Sequence, residues 1–309
     1  MFLHSGKGGK ELENKKIKVG ILGPGNIGTD LMYKVMRSPV LEMSVMLGVV
    51  DSAGIARAKA LGFDTSLEGV QYLEKHPEKA DIVFDATTAR AHIETNAPVL
   101  ERLGKIAIDL TPAAIGEMVT PMVNMQDCIQ KKLHNANLIT CGGQATTPIV
   151  WAIHNAMPIK YAEVVTSVAS ASAGIGTRRN IDEYSRTTAG ALVNIGGAET
   201  AKVLTVFNPA IPEPPMRNTI YCIPKDPDHV DLEAIRTAVY NMVEGIKGYV
   251  PGYELTLRPV YDNGIVTTIV TIHGQGDFLP PYAGNLDMET SSAIKVAELY
   301  AESMLKGEF

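Results

Sequence analysis

Ile17-Lys18-Val19-Gly20-Ile21-Leu22-Gly23-Pro24-Gly25-Asn26-Ile27-Gly28 decides the fold of this chain. An apolar run of strand length ends in GxGxxG spacing, and the residues that follow keep Ile27, Leu31, Met32, Val35 and Met36 on one helical face. Strand, glycine turn and helix in that order make a dinucleotide-binding βα unit. Gly23 permits the tight turn, Gly25 lets backbone approach a pyrophosphate, and Gly28 lets helix and strand pack closely. The phosphates would face the helix N-terminus, with its unpaired N–H groups and positive dipole end. Out of this context the same glycines would read only as a turn.

Downstream, Asp51 follows a second apolar run, Val45-Met46-Leu47-Gly48-Val49-Val50. An acid there accepts ribose hydroxyls and disfavours a 2′-phosphate, which points to NAD over NADP. An aspartate after a strand also serves as a helix cap, so both readings stand. The alternation continues with a helix over 54–61, a strand over 81–85, a helix over 89–103 and a strand over 105–110. These are βα units of a doubly wound parallel sheet. Thr87, Thr88 and Thr111 lie at carboxyl ends of its strands, where such sheets bind ligands, although caps or turns use threonine as readily.

The last run of this half, Leu138-Ile139-Thr140, delivers Cys141, with Gly142-Gly143 clearing bulk around it. Thr147 and Pro148 are read as the cap and first residue of a helix through Ile149, Val150, Trp151, Ile153 and Ala156. The sulfur then lies near a positive helix end, which favours the thiolate. A nicotinamide fold that presents a reactive thiol points to aldehyde oxidation, because hydride leaves a carbonyl carbon only after a nucleophile has added. Backbone N–H groups near Cys141 and a side-chain amide are candidates to hold the oxyanion. The plain alternative is a small buried hydrophobe. Cys128, on a helix, and Cys222, in a strand, compete less well.

Beyond Pro148 the pattern changes to strands over 161–171, 203–207, 219–223, 253–260 and 265–272, with helices near 181–195 and 232–249. They predict a second domain with a mixed or antiparallel sheet. A final helix over 289–305 is expected to pack back on the first domain. The organisation expected is a disordered leader (1–16), a Rossmann domain (17–140 with 286–309) and a catalytic and dimerisation domain (141–285). The Pro-rich stretch 208–215 reads as an ordered surface or interface loop.

Composition bounds the function. The chain has 309 residues, 45% hydrophobic and 20% charged, enough for two substantial cores. A net charge of -6 without a large Lys/Arg cluster argues against a nucleic-acid partner. Three cysteines with no CxxC spacing indicate neither a disulfide framework nor a metal site. No run of about 18 apolar residues predicts a membrane span, and the polar, Gly-rich leader has no signal-peptide core, so a cytoplasmic enzyme is expected.

Several ordered motifs carry a family resemblance. They are Gly25-Asn26-Ile27-Gly28-Thr29-Asp30, Asp109-Leu110-Thr111-Pro112-Ala113-Ala114-Ile115-Gly116, Thr140-Cys141-Gly142-Gly143-Gln144-Ala145-Thr146, Ser172-Ala173-Gly174-Ile175-Gly176-Thr177-Arg178-Arg179-Asn180-Ile181-Asp182-Glu183 and Tyr282-Ala283-Gly284-Asn285-Leu286-Asp287. From about Lys16 onward the chain resembles the acylating acetaldehyde dehydrogenases. These NAD- and coenzyme A-dependent enzymes of aromatic catabolism partner 4-hydroxy-2-oxovalerate aldolase. The resemblance implies a fold like glyceraldehyde-phosphate and aspartate-semialdehyde dehydrogenases, a homodimer through the second domain, and aldehyde channelling from the aldolase. It implies Cys141 as the acyl-thioester nucleophile. It implies NAD contacts from Pro24, Gly25, Asn26 and Ile27, beside the motif glycines Gly23 and Gly28 read above as cofactor-binding, from Ser172, Ala173, Gly174, Ile175, Gly176, Thr177, Arg178, Arg179 and Asn180, and from Asn285. Asn180 also offers an amide to the chemistry. The bland readings are a flexible hairpin for the second glycine loop and a turn residue for Asn285.

One departure stands out. Where the family has an Asp in Met-Arg-Asp-Thr, this chain has Met216-Arg217-Asn218-Thr219. An amide orients but cannot accept a proton, so turnover is slower here, another group does the work, or that Asp matters less. Acceptors other than coenzyme A stay open, as in a phosphorylating or semialdehyde dehydrogenase of the same fold. No histidine is placed by sequence to pair with Cys141. A non-catalytic dinucleotide-binding subunit is the reading from another class.

Overall fold

The computed structural model describes residues 15–174, 178 and 180–309, so residues 1–14 of the expected leader lie outside it. Among the described residues, the first sheet comprises β1 (Ile17–Leu22), β2 (Leu41–Leu47), β3 (Asp64–Ser66), β4 (Ile82–Asp85), β5 (Ile106–Asp109), β6 (Glu117–Met118) and β7 (Asn135–Asn137). Every pairing is parallel, and the order is β3-β2-β1-β4-β5-β7-β6. The strand order reverses between β1 and β4, and a doubly wound sheet opens its binding crevice at that point. The near-continuous burial of β1, β4 and β5 follows from helices on both faces.

Helices α1 (Asn26–Arg37), α2 (Ala53–Ala60), α3 (Gln71–Lys75), α4 (Ala89–Ala91), α5 (Ala97–Arg102) and α6 (Met125–Gln130) make the crossovers, with a π-helical turn, His92–Asn96, between α4 and α5. Two expectations are corrected. β2 stops at Leu47, because Gly48 turns the chain against Pro24, and Val49 and Val50 are 76% and 66% exposed rather than in the sheet. The strand expected over Leu138-Ile139-Thr140 lies earlier, as β7 ending at Asn137, because Ile139 takes a left-handed φ of 64°; β6, two residues long, shows no periodicity to read.

The second sheet contains β8 (Ile159–Ala169), β9 (Thr200–Asn208), β10 (Met216–Pro224), β11 (Tyr253–Asp262) and β12 (Ile265–Ile272), in the order β11-β12-β10-β8-β9. It is mixed, since β8 and β9 run parallel and the other pairs antiparallel. Helices α7 (Cys141–Ala156), α8 (Ile181–Asn194) and α9 (Leu232–Lys247) cover one face. Ile149, Ile153, Val164, Ile220, Val239 and Val266 fill the core between them.

The last helix, α10 (Gly284–Lys306), returns to the first sheet. Its Ala293, Val296, Ala297, Tyr300 and Ala301 share a core with Val19, Ile21, Leu31 and Ile108. It begins five residues earlier than periodicity predicts, because Gly284 sits flush against Ile272, whose carbonyl oxygen lies 2.0 Å from where a Cβ would be. A buried ion cluster ties it to α1. Lys34 Nζ lies 2.7 Å from both Asp30 Oδ2 and Asp287 Oδ1. Burial opposes the ammonium charge, but the two carboxylates outweigh it and raise the Lys34 pKa.

Candidate active site

The first glycine loop has the shape of an anion cradle. Gly23 holds φ +96°, and a Cβ on Gly28 would lie 2.0 Å from the Gly23 carbonyl oxygen, so neither tolerates a side chain. A Cβ at Gly25 would meet nothing within 4 Å, which leaves space above the helix end. Gly25 is also the N-cap of α1 and supplies no side-chain acceptor to its first N–H groups. Open donors at a dipole's positive end fit a pyrophosphate. At the tip of β2, Ser52 rather than Asp51 caps α2, accepting from Ile55 N at 3.3 Å. The exposed Asp51 carboxylate accepts from Ser52 N, so the helix-cap reading of this residue is resolved against.

Cys141 is the first residue of its helix. Sequence reading starts that helix at Pro148, but α7 begins seven residues earlier, with Thr140 Oγ1 capping Gly143 N at 2.8 Å. Pro148 sits inside, and hydroxyls take up nearby carbonyls: Thr146 Oγ1 donates to Gly142 O and Tyr253 OH to Ala145 O. Gly142 and Gly143 are small for packing: a Cβ on Gly142 would lie 2.3 Å from Tyr184 OH, and one on Gly143 would lie 2.5 Å from Ile139 Cγ2. Ile139 itself holds φ 64°, a left-handed conformation costly for a β-branched residue. Its N–H is held by Asn137 Oδ1 at 2.6 Å.

Tyr184, on α8, is the sulfur's partner. Its hydroxyl accepts from Gly142 N at 3.0 Å and lies 3.5 Å from Cys141 Sγ, within hydrogen-bond reach of the sulfur. The thiol is half-buried. Burial pushes it up to about 12, the Glu289 carboxylate adds to this, and Tyr184 with the Gly142 and Cys141 N–H groups pulls the other way. The expectation of a depressed thiol is therefore corrected: desolvation outweighs the helix end. Cys222 is pushed up to about 12 and Cys128 to about 11, chiefly by burial.

The remaining predicted residues surround this centre. Asn218 is fully buried on β10, opposite Thr166 of β8, and its Oδ1 accepts from Thr166 Oγ1 at 2.8 Å. Thr166 Oγ1 in turn lies 3.2 Å from where a Gly142 Cβ would be, which brings Asn218 to the edge of the site. Its Nδ2 has no hydrogen-bond partner among the described residues. Gln144 gives both amide hydrogens to Val119 O and Leu138 O, so it is not the oxyanion amide. Asn285 is buried in the first turn of α10, and among the described residues its Oδ1 has no partner.

In the second loop, Ser172 and Ala173 are buried and Gly174 is exposed; Ile175, Gly176, Thr177 and Arg179 lie outside the described residues. Arg178 hydrogen-bonds the Ser170 and Ala173 carbonyls and lies over the Phe207 ring, an anchor for the loop. Asn180 precedes α8 as its N-cap.

At the carboxyl ends of β4 and β5 the threonines take their plain roles. Thr88 caps α4, while Thr87 and Thr111 turn the chain by donating backbone N–H to Asp85 and Asp109. Sequence reading missed what lies beneath. His92 is fully buried, with Nδ1 2.9 Å from Asp85 Oδ2 and Nε2 3.5 Å from Asp109 Oδ2. Burial opposes its charge, yet the Asp85 hydrogen bond and both carboxylates raise its pKa. Burial pushes Asp109 up to about 6. Tyr184 was missed too, because it reaches the site from a distant element, and so was Glu289 of α10, whose carboxyl is pushed up to about 8 by burial.

Comparison with known proteins now places the chain. Acetaldehyde dehydrogenases from Bacillus cereus (49% identical over 94% of this chain and 96% of theirs), Thermomicrobium roseum (50%; 95% and 97%) and Thermus thermophilus (48%; 94% and 97%) are similar over nearly the whole length. The chain belongs to the acetaldehyde dehydrogenase family. The family description "Prokaryotic acetaldehyde dehydrogenase, dimerisation" matches residues 141–280. Aspartate semialdehyde dehydrogenase II of Vibrio cholerae, in its complex with ASA, shares the fold at TM-score 0.62 and 17% identity, covering 93% of this chain and 99% of that one. Membership makes this chain an aldehyde-oxidising enzyme and implies a nicotinamide dinucleotide cofactor. Among the described residues no helix is long and apolar enough to cross a membrane.

Proposed function

We propose that this enzyme oxidises a short aldehyde, acetaldehyde or propanal, with NAD and coenzyme A, through an acyl thioester on Cys141. The observation that carries the reading is the placement of Cys141 as the first residue of a capped helix, half-buried, with a hydroxyl and backbone N–H groups beside its sulfur. NAD would be held by the Gly23–Gly28 loop, by Asp51 through the ribose, by the loop beginning at Ser172 and by Asn285. The open donors at α1 and the orphaned Asn285 Oδ1 fit such a group. Bound there, it supplies the hydride acceptor.

Addition of the Cys141 sulfur to the carbonyl carbon gives a thiohemiacetal. Loss of hydride leaves a thioester, which the thiol of coenzyme A displaces. Asn218 Nδ2 and the Cys141 N–H are the donors for the oxyanion, because the next three N–H groups of α7 are taken up by Tyr184 and Thr140. A thiol acceptor needs little activation, and Cys141 has no hydrogen bond to a histidine among the described residues.

Homodimerisation through the second sheet fits its uncovered face. Leu257, Ile269, Thr219, Val165 and Leu204 form one row across five strands, and Leu204 and Val206 are 42% and 45% exposed. The aldolase partner and aldehyde channelling rest on the family resemblance, and a cytoplasmic site on composition. The test is NADH formation from acetaldehyde. It should require coenzyme A, fail with phosphate in its place, and vanish in Cys141→Ser; turnover with phosphate would move the assignment to a phosphorylating enzyme.

A further inference from the structure

Three neighbouring strands of the first sheet end in the same way. Asp85 of β4, Asp109 of β5 and Asn137 of β7 stand in one register row, and the Oδ1 of each accepts the backbone N–H two residues on: Thr87 N at 3.0 Å, Thr111 N at 2.8 Å and Ile139 N at 2.6 Å. These turns line the crevice from the Gly23 loop to Cys141. A Cβ on Gly23 would lie 2.5 Å from Ala86 O, and α7 begins with Cys141 just after the third turn. Because Asp51 stands at the tip of β2, on the far side of β1, the adenosine half of NAD would lie over β2 and the nicotinamide half over β4 and β5.

His92 sits beneath two of the three turns. It is fully buried, and its ring lies between the two carboxylates, Nδ1 2.9 Å from Asp85 Oδ2 and Nε2 3.5 Å from Asp109 Oδ2. The π-helical turn that carries it also brings in Asn96, whose Nδ2 donates to the same Asp85 oxygen at 2.7 Å and to Thr87 Oγ1 at 3.1 Å. From β7, Asn135 Nδ2 lies 3.2 Å from His92 Nε2. Among the described residues neither carboxylate has another cationic partner. Two buried carboxylates directly opposite on adjacent strands repel, and an imidazolium, with an N–H at each end, holds both. The Asp85 hydrogen bond and the two carboxylates raise its pKa, in keeping with a charged ring.

We propose that His92 is a positioning residue for the nicotinamide half of NAD. Acting through Asp85 and Asp109, it clamps the Thr87 and Thr111 turns at one spacing and so fixes the floor on which the ring stands beside Cys141. It touches neither cofactor nor substrate and moves no proton in the reaction.

This inference rests on the reading of the crevice as the NAD site, and the experiment separates the two. In the full-length enzyme, calorimetry measures affinity for NAD and for ADP-ribose, which lacks the nicotinamide ring. The proteins are wild type, His92→Leu and His92→Asn, whose amide keeps a donor for Asp85 but does not span to Asp109. His92→Leu should lose at least about tenfold in NAD affinity while ADP-ribose stays within about twofold, and His92→Asn should fall between. An NAD affinity within about twofold of wild type overturns the proposal, and so does an equal loss for both ligands, which is what a merely structural role produces. If the Leu variant folds poorly, the Asn variant decides by the same comparison. A wild-type enzyme that binds neither ligand would instead sink the reading of the crevice.

Discussion

At Cys141 two opposing effects meet, and their balance sets reactivity. Tyr184 favours the thiolate while burial holds the proton on the sulfur, so the thiolate is scarce at neutral pH. Alkylation of the free enzyme should rise about tenfold per pH unit above neutrality, and Tyr184→Phe should slow it by a further tenfold or so, the worth of one hydrogen bond to a charged group. Mass spectrometry of the Cys141 peptide measures both. Glu289 carries a linked stability effect. Its folded pKa of about 8 stands above the ordinary 4.5, so the folded state keeps a proton that the unfolded chain loses over that interval. Its contribution to stability therefore falls as pH rises from 4.5 to 8. Glu289→Gln, which has no such loss, should melt increasingly above wild type across that window, by on the order of 4 kcal/mol at its upper end. Equal melting curves at every pH would contradict this. Cys141 and the glycines were legible because their signals are local. Tyr184, 43 residues from Cys141, and Glu289, on the last helix, become visible only once the chain has folded.

Among the elements, the β1–α1 unit was read correctly because strand, turn and helix each carry their own pattern. A Gly28→Ala substitution should push the Gly23 carbonyl out of place and lower NAD affinity by at least about tenfold, measured by fluorescence titration. Unchanged affinity would show that the loop has slack. Helix α7 was misread for the opposite reason: its true start contains two glycines, poor helix formers, and its interior holds a proline. Packing against Tyr184 and Ile139, with hydroxyls on the carbonyls near Pro148, overrides those propensities. The second sheet's strands were legible from their apolar runs, but the run ending at Val50 misled, since exposed valines imitate a buried edge.

For the molecule as a whole, the join between α1 and α10 is an electrostatic one. Lys34 is the amine shared by Asp30 and Asp287, all three buried, and Thr290 Oγ1 adds a hydrogen bond to Asp30. Lys34→Met should cost about 3–5 kcal/mol, because two carboxylates would remain in the interior without a counterion. Thermal melting by circular dichroism would register it, and a shift below about 1 kcal/mol would mean that water reaches the cluster. Sequence reading placed the last helix against the first sheet but gave no hint of this pairing, whose members lie 253 residues apart.

That return of α10 bears on how the chain is made. The inner face of β1 and α1 is completed by Ala293, Val296 and Tyr300, which leave the ribosome after the whole second sheet. The first lobe must therefore wait, with part of its apolar surface uncovered, while more than half of the polypeptide is still being translated. Nascent chains stalled before Gly284 should engage chaperones through that surface, and release of the final helix should end the engagement.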